Sequence, residues 1–580
     1  MKTLTIDWNE LKSKGNYISI IQYLEQNEDF YKKKYFDQIE KIGFLNVNKG
    51  RNIFKLYQYK SLYNLWQMSS IVEKSFFKTP EIFEHLKLLV LIDLIKKNSP
   101  IQVNVKGCGV EIVNFLNSKN LETSFNFQKI ILKPNESILE KIKNKNQVLY
   151  ALFWLVYQYF KKLKAPSIRN YRKIENSIFI MDYFAHLNFI KNKPSFYSSN
   201  IWEPLLKKLP KNRSVYFLHH FIPTKKIKSI GEAAKKVNNF NFHKYQFHNF
   251  LELNLNLIIF LKVFFNFLLF QFKTKKVFSS FKKVTLDEHN SINFLKDSIK
   301  KSLKGKELIQ NILYIELFDD FFKKIEPQKI GIYLQENQGW EFAFINAWKK
   351  YSHGKLFAYN SASISNWDLR FMYPFQKSKI TLIKQKIPDE FLVGSKHYKD
   401  IYIKNGYNKN SIKEVEALRY LKLSKKLDNI PKGKILIMGS ITNSVNEFMI
   451  HSIQPLITKL TQFKWYFKPH PANSFCVKDK NIQIITKDLS EIANDLDFVI
   501  CPSDSSVAID CYLLGLNFLV LLRKGFPNTS TLKNINGINF AYSTNDIKKF
   551  ILSKNREIKK EDFFNLDKNL NKWNLILQKN

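Results

Sequence analysis

From residue 433 onward the sequence alternates short apolar runs with helix-period segments, and this alternation constrains the fold more than any other feature. KILIMGS, FKWYFKPHP, IQIITKD, DFVICPS and NFLVLL are the apolar runs, and INFAYS with NDIKKFILS continues the pattern. Between them lie helical segments at about 444–461, LSEIANDL and SSVAIDCYLLG, the last closed by Gly515. Strands and helices in this alternation build a parallel, doubly wound sheet. Ligands of such sheets bind beyond the carboxyl ends of the strands. Four of those ends carry polar groups: Gly439-Ser440, Lys468-Pro469-His470, Ser503-Asp504-Ser505-Ser506 and Asn528-Thr529-Ser530.

These residue types suit an anion. Gly439 and Ser440 permit close backbone approach. Two prolines fix the backbone around His470, whose ring can donate to a phosphate oxygen while Lys468 adds positive charge. Ser505 and Ser506 open a helix, where free N–H groups and the helix dipole favour negative charge. Ser503, Asn528 and Ser530 complete the polar edge, and Asp510, one turn into the helix, is placed to meet a ribose hydroxyl or to support the loop. The alternative is structural, with Asp504 or Ser505 as a helix cap and His470 as a turn residue. The convergence of all these ends on one edge favours a phosphate site.

A chain of 580 residues exceeds a single core. The region before about 140 reads as helical with short strands at IQVNVKG and FQKIILK, and α/β alternation returns after it. NSIFIMDYF is a strand carrying Asp182 near its end; KIGIYLQENQGWEFAFINAW is another, with Glu336 in the polar turn that follows and Glu341 in the next helix. SVYFLHHFIP places His219 and His220 side by side on a strand. Neighbours on a strand point to opposite faces, so the pair cannot chelate one metal, and one is expected buried with the other at the surface or facing a site. PDEFLVGSKHY reads as entry into a new domain, so domains are expected at 1–387 and 388–580.

The formal charge of +42 comes almost wholly from lysine. Such a surface is drawn to anionic headgroups, nucleotides or nucleic acid. Nucleic acid is disfavoured, because arginine is scarce and no zinc-knuckle or RNP-like pattern occurs. Four cysteines without a CxxC pair read as reduced thiols of a cytoplasmic protein, and MKTLTIDWNELKSKGNY lacks the apolar core of a secretory signal. LYALFWLVYQYFKKL (149–163) is too short to cross a bilayer and reads as a buried or an interfacial helix. LELNLNLIIFLKVFFNFLLFQF (251–272) is long enough, but Glu252, Lys262 and three asparagines interrupt it. It reads as a helix lying in the interface or as a core helix.

FKPHP followed by SDSSVAIDCYLLG resembles the paired HP and SS motifs of GT-B-fold enzymes of bacterial surface-polysaccharide synthesis. That group includes CMP-sugar-dependent sialyl and Kdo transferases and the CDP-glycerol glycerophosphotransferases. YLQENQGWEFAFINAW, WDLR at Trp367–Arg370 and PNTSTLKNI at 527–535 look like a narrower set of surface carbohydrate biosynthesis proteins, and the resemblance covers roughly 330–545. It implies a GT-B-like α/β fold, two Rossmann-like domains facing each other across a cleft, with extra helices in the N-terminal half. It also implies that His470, Ser505 and Ser506 hold the donor's phosphate and nucleotide. The group's acidic Asp/Glu-Asp/Glu-Gly motif has no copy here, so the base is sought among strand-end carboxylates, with Glu336 first and Asp182 second. The expected function is a metal-independent glycosyltransferase that uses a nucleotide-sugar, a CMP-sugar in preference, as co-substrate without a further cofactor. Its acceptor would be lipid-linked or a glycan, for a surface polysaccharide or lipopolysaccharide, at the inner face of an anionic membrane. The alternatives are a CDP-glycerol-type glycerophosphotransferase and a non-catalytic GT-B-like binding protein.

Overall fold

The computed structural model describes residues 3–48, 50–117, 122–126, 146–168, 177–188, 197–210, 213–243, 245–281, 286–372, 386–423, 433–473, 475–553 and 563–578. At the N-terminus, β1 (Thr3–Asp7), β2 (Ile18–Ser19), β3 (Gln102–Lys106) and β4 (Glu122–Asn126) form a small parallel sheet in the order β2-β1-β3-β4. Helices α1 (Glu28–Phe44) and α2 (Ile82–Asn98) pack together beside it. The expected strand IQVNVKG is β3, whereas FQKIILK lies outside the described residues.

The second sheet has seven parallel strands: β5 (Ile178–Tyr183), β6 (Val215–His220), β7 (Gln246–Phe250), β8 (Ile330–Leu334), β9 (Lys355–Asn360), β10 (Glu390–Val393) and β11 (Ile412–Glu414). Their order is β7-β6-β5-β8-β9-β10-β11. All five residues of β8 are buried, as befits a strand covered on both faces. A layer of extra helices, α3 (Gln147–Leu163), α4 (Leu257–Ser280), α5 (Leu286–Lys304) and α6 (Lys306–Lys324), gathers around α6. α6 also packs on α7 (Gly339–Lys350), which follows β8. The double coverage corrects the expectation for the histidine pair, since both are buried. His219 stacks on His248 with Nε2 and Nδ1 3.1 Å apart, and His220 packs edge-on to Trp340.

The third sheet is formed by β12 (Lys434–Met438), β13 (Lys464–Lys468), β14 (Ile482–Ile484), β15 (Phe498–Pro502), β16 (Phe518–Leu521) and β17 (Asn539–Ala541), in the order β14-β13-β12-β15-β16-β17. Helix α8 (Asn443–Ile457) follows β12 and α9 (Val507–Leu514) follows β15. Counted from its own first strand, the six-stranded sheet runs 3-2-1-4-5-6, the Rossmann-like doubly wound order, and the seven-stranded sheet runs the same way with a seventh strand added at its far edge. The expected α/β class of two such domains is therefore present, with the small N-terminal sheet preceding them in the chain.

The expected boundary at 387/388 falls inside the seven-stranded sheet. Phe391 pairs with Ala358 and Ile412 with Phe391, so β10 and β11 extend that sheet, and the chain crosses over between Glu414 and Lys434. Short strands such as β10 and the edge strand β11 look like loop entry in sequence because strand pairing, rather than local pattern, defines them. The C-terminal helix α10 (Asn571–Gln578) then returns to the second sheet. Trp573 is fully buried 5.0 Å from Tyr359, and the Glu416 carboxylate accepts the N–H groups of Lys572 and Trp573.

Candidate functional site

In the third sheet the strand order reverses between β12 and β15, and the loops leaving those strands part there. Ser440, fully buried, bridges the gap by donating from Oγ to Asp504 Oδ2 at 2.9 Å. Its own N–H goes to Asn446 at the start of α8. Asp504 Oδ1 is buried with no hydrogen bond, an unmet acceptor at the switch point. Gly439 is needed for a different reason than ligand approach. A Cβ there would lie 2.9 Å from Phe467 and 3.1 Å from both the His470 nitrogen and the Lys468 carbonyl. Its absence lets two backbones meet and so sets where the His470 turn stands.

His470 Nδ1 accepts the Ala472 N–H at 3.1 Å, which leaves Nε2 as the N–H donor of the ring. Burial, and then the charge of Arg419, lower its pKa. The ring is therefore neutral near pH 7, with one donor fixed in direction. Ser505 and Ser506 stand at the entrance of α9, with Ser505 Oγ accepting from the Val507 N–H at 3.3 Å. On the same helix, burial raises the Asp510 carboxyl to about 6, while Arg419 and Lys422 pull the other way.

Arg419 was not among the sequence-derived residues, and it joins these parts. It lies in the segment that leaves the second sheet after β11 and reaches across to the third. Its Nη2 donates to Ser506 Oγ at 3.3 Å, its guanidinium lies 5.4 Å from the Tyr420 ring, and its charge acts on His470 and Asp510. The one sequence signal for it is an arginine in a chain where lysine is by far the commoner cation. A planar fork of donors suits a phosphate where a lysine would offer a point charge.

Other expected contacts are directed elsewhere. Lys468 Nζ donates to the carbonyls of Lys487 (2.6 Å) and Thr486 (3.4 Å), tying β13 to the loop after β14. Thr529 Oγ1 donates to the Ser503 carbonyl, Asn528 Oδ1 accepts from the Ser530 N–H, and Ser530 Oγ accepts from the Leu532 N–H. Asn528 also donates its N–H to Glu25, and Lys533 pairs with Glu25 and Glu28. Ser503, Asn528 and Ser530 thus support the loop against the N-terminal unit.

The second sheet has its own switch point, between β5 and β8, and both candidate bases stand there. Asp182 is enclosed: Oδ1 meets the Tyr183 N–H and His186 Nδ1, and Oδ2 accepts from the Tyr197 hydroxyl. With its side chain fully buried, Asp182 is removed as a base. Glu336 keeps a side chain 32% exposed. Its Oε2 accepts from Gln338 Nε2 at 2.5 Å and lies 3.5 Å from Arg370, which Asp368 holds through two bonds. Glu341 caps α7, accepting the N–H groups of Glu336 and Gln338, and burial pushes its carboxyl to about 8.

Two cavities flank these edges. One of about 550 Å³ lies between the large sheets, with Asn188 and Lys208 on one side, Asp488 on the other, and Lys422 beside Arg419. The other, about 420 Å³, opens at Gln338 and Trp340 and contains Glu73, Lys78 and Glu307, whose carboxyl burial raises to about 7. Gln338 joins it to the edge, bonding both Lys78 and Glu336. Glu73 and Glu307 were invisible in sequence because residues more than two hundred positions apart meet there only through packing.

No protein-family model and no curated protein sequence matches the chain. Among solved structures it is similar to HepE from Anabaena in complex with UDP and glucose, at 9% identity and a TM-score of 0.38, over 70% of this chain and 99% of that one. It is similar to UDP-GlcNAc 2-epimerase from Neisseria meningitidis bound to UDP-GlcNAc, at 10% identity and a TM-score of 0.37, over 70% and 100%. A glycosyltransferase from Rickettsia africae shares 11% identity at a TM-score of 0.33, over 70% and 98%. At these scores the strand orders themselves, and not the likenesses, define the fold.

Proposed function

We propose that the chain is a GT-B-like glycosyltransferase that takes a nucleotide-sugar, a CMP-sugar in preference, and builds a surface polysaccharide or lipopolysaccharide in the cytoplasm. The observation that carries this reading is the meeting of Arg419, His470 and the start of α9 beside a doubly wound switch point. In transfer, the bond between the anomeric carbon and the phosphate oxygen breaks, and the electron pair leaves with the nucleotide. The acceptor oxygen bonds to that carbon and its proton passes to Glu336. Arg419, the Nε2–H of His470 and the positive end of the α9 dipole stabilise the charge that grows on the departing phosphate. With those donors in place the reaction is metal-independent in this reading. The lysine-lined cleft supports an anionic donor on the same side.

Thermal-shift measurement against CMP, CDP, UDP and GDP tests the reading, because a ligand that binds only the folded state raises the melting temperature by mass action. CMP is expected to stabilise most, and Arg419→Ala to diminish the effect at the same ligand concentration. No stabilisation of the wild type by any of the four would overturn it. Release of CMP from CDP-glycerol with glycerol phosphate transferred, and no sugar moved from any donor, would replace it with a glycerophosphotransferase.

A further inference from the structure

Helices α3 and α4 turn apolar faces outward. On α4, Ile259, Val263, Phe267, Phe270, Thr274 and Val277 are buried and recur at helical spacing. Ile258, Leu261, Phe265, Leu269 and Phe272 recur on the other side, each between 42% and 66% exposed. The two sets stand roughly 160° apart around the helix, at about 100° per residue. On α3 the outward stripe is Leu149, Phe153, Tyr157, Phe160 and Leu163, between 44% and 62% exposed. The helices lie side by side, with the rings of Tyr159 and Phe260 5.0 Å apart. Single exposed apolar residues need no explanation, but two adjoining stripes of five do.

Charge identifies what covers them. Neither helix contains an Asp or Glu. Lys161, Lys162 and Lys164 end α3, while Lys262, Lys273, Lys275 and Lys276 border the stripe of α4. Lysine stems can lie along an apolar layer while their ammonium groups reach phosphates above it. A second copy of the chain would instead bring like charges together, in a molecule whose formal charge is +42. Near the C-terminal half of α4 a groove of about 760 Å³ opens, lined by Phe272, Phe278 and Phe281 and rimmed by Lys275, Lys296 and Lys304. An apolar slot under ammonium groups matches a phosphate headgroup with its chain.

We propose that α3 and α4 together form a docking surface for an anionic lipid bilayer and lie flat in its interface. The 24 residues of α4 are long enough to cross a membrane, but crossing would strip the buried face from its packing and leave Lys262 and Asn266 in the hydrocarbon. The proposal rests on this surface alone and is independent of the transfer chemistry. It brings the bilayer near Gln147 and Tyr150, which line the cavity beside Glu336.

Flotation of the full chain with vesicles of phosphatidylcholine, alone or mixed with phosphatidylglycerol, tests it. Binding is expected only with phosphatidylglycerol, and to weaken at least about tenfold in Phe153→Ser/Phe265→Ser/Phe272→Ser. Lys161→Gln and Lys276→Gln are each expected to weaken it about fivefold. Phe153, Phe265, Phe272 and Lys276 are exposed and Lys161 is half-buried, so unchanged melting temperatures verify that folding is intact. Absence of binding, or equal binding to the neutral vesicles, overturns the proposal. So does a wild-type dimer in sedimentation without lipid that the triple variant abolishes, because the surface would then join two copies. Nucleotide stabilisation is expected to be unchanged in the triple variant, so a failure of donor binding is seen separately from a failure of docking.

Discussion

Arg419 supplies the charge around which the candidate phosphate site is arranged, and its value lies in geometry as well as sign. Hydrogen bonds to charged groups contribute about 1.5–3 kcal/mol, so Arg419→Ala is expected to weaken nucleotide binding roughly 10- to 100-fold by calorimetry. Arg419→Lys keeps the charge but loses the fork, and should recover only part of that affinity. His470 contributes one directed donor, because Ala472 occupies its other nitrogen. His470→Gln can present an amide N–H in a similar place and should bind better than His470→Ala; equal affinities would sink that assignment. Glu341 gives a pH test. Its carboxyl sits at about 8 when folded against an ordinary 4.5, with burial as the main cause. The folded chain then holds a proton that the unfolded chain releases, so this residue's contribution to stability is present at low pH and lost as pH rises toward 8. Glu341→Gln keeps the shape and the acceptor oxygen. It should melt near the wild type at about pH 5 and above it at about pH 8.5, by more than about 1 kcal/mol. A constant difference across that range would show that the carboxyl is not protonated.

At the level of elements, the end of β12 and the turn after β13 act as one unit. Gly439→Ala forces apart the backbones of Gly439 and His470, and overpacking of this kind costs about 1–3 kcal/mol. The variant is expected to lose stability in urea melts and nucleotide affinity together. Loss of affinity at unchanged stability would mean that Gly439 faces the ligand after all. Most of these elements were legible in sequence. DFVIC and KILIM read as strands because parallel strands buried on both faces become short continuous apolar runs, KWYFK reads as one through its buried Trp465 and Phe467 on alternate positions, and Gly515 marked the end of α9. What each loop did with its polar groups was not legible. Lys468, Ser503, Asn528 and Ser530 have the composition of a ligand site, yet in the fold they bond neighbouring loops. A strand-end serine or asparagine has the same letter whether its partner is a phosphate or the next turn.

Across the whole molecule, the chain closes on itself: the last described helix completes the core of the sheet that began near residue 178. Trp573→Ala removes a fully buried side chain from that core, and is expected to cost about 3–5 kcal/mol in equilibrium unfolding despite lying within ten residues of the C-terminus. A loss below about 1 kcal/mol would show that α10 is peripheral. By itself the sequence determined the class of the fold, the repeated strand-turn-helix grammar, and the sheet edge that carries His470 and Ser506, because apolar periodicity and turn chemistry are local. It also marked the two apolar helices, while leaving open whether their faces were buried or exposed. Only the tertiary structure decided that β10 and β11 stay with the second sheet and that Asp182 is enclosed while Glu336 is not. Tertiary structure also carried Arg419 across to α9 and set α3 and α4 side by side with their stripes outward. Each of those outcomes depends on contacts between residues far apart in the chain, and such contacts form only when whole elements pack.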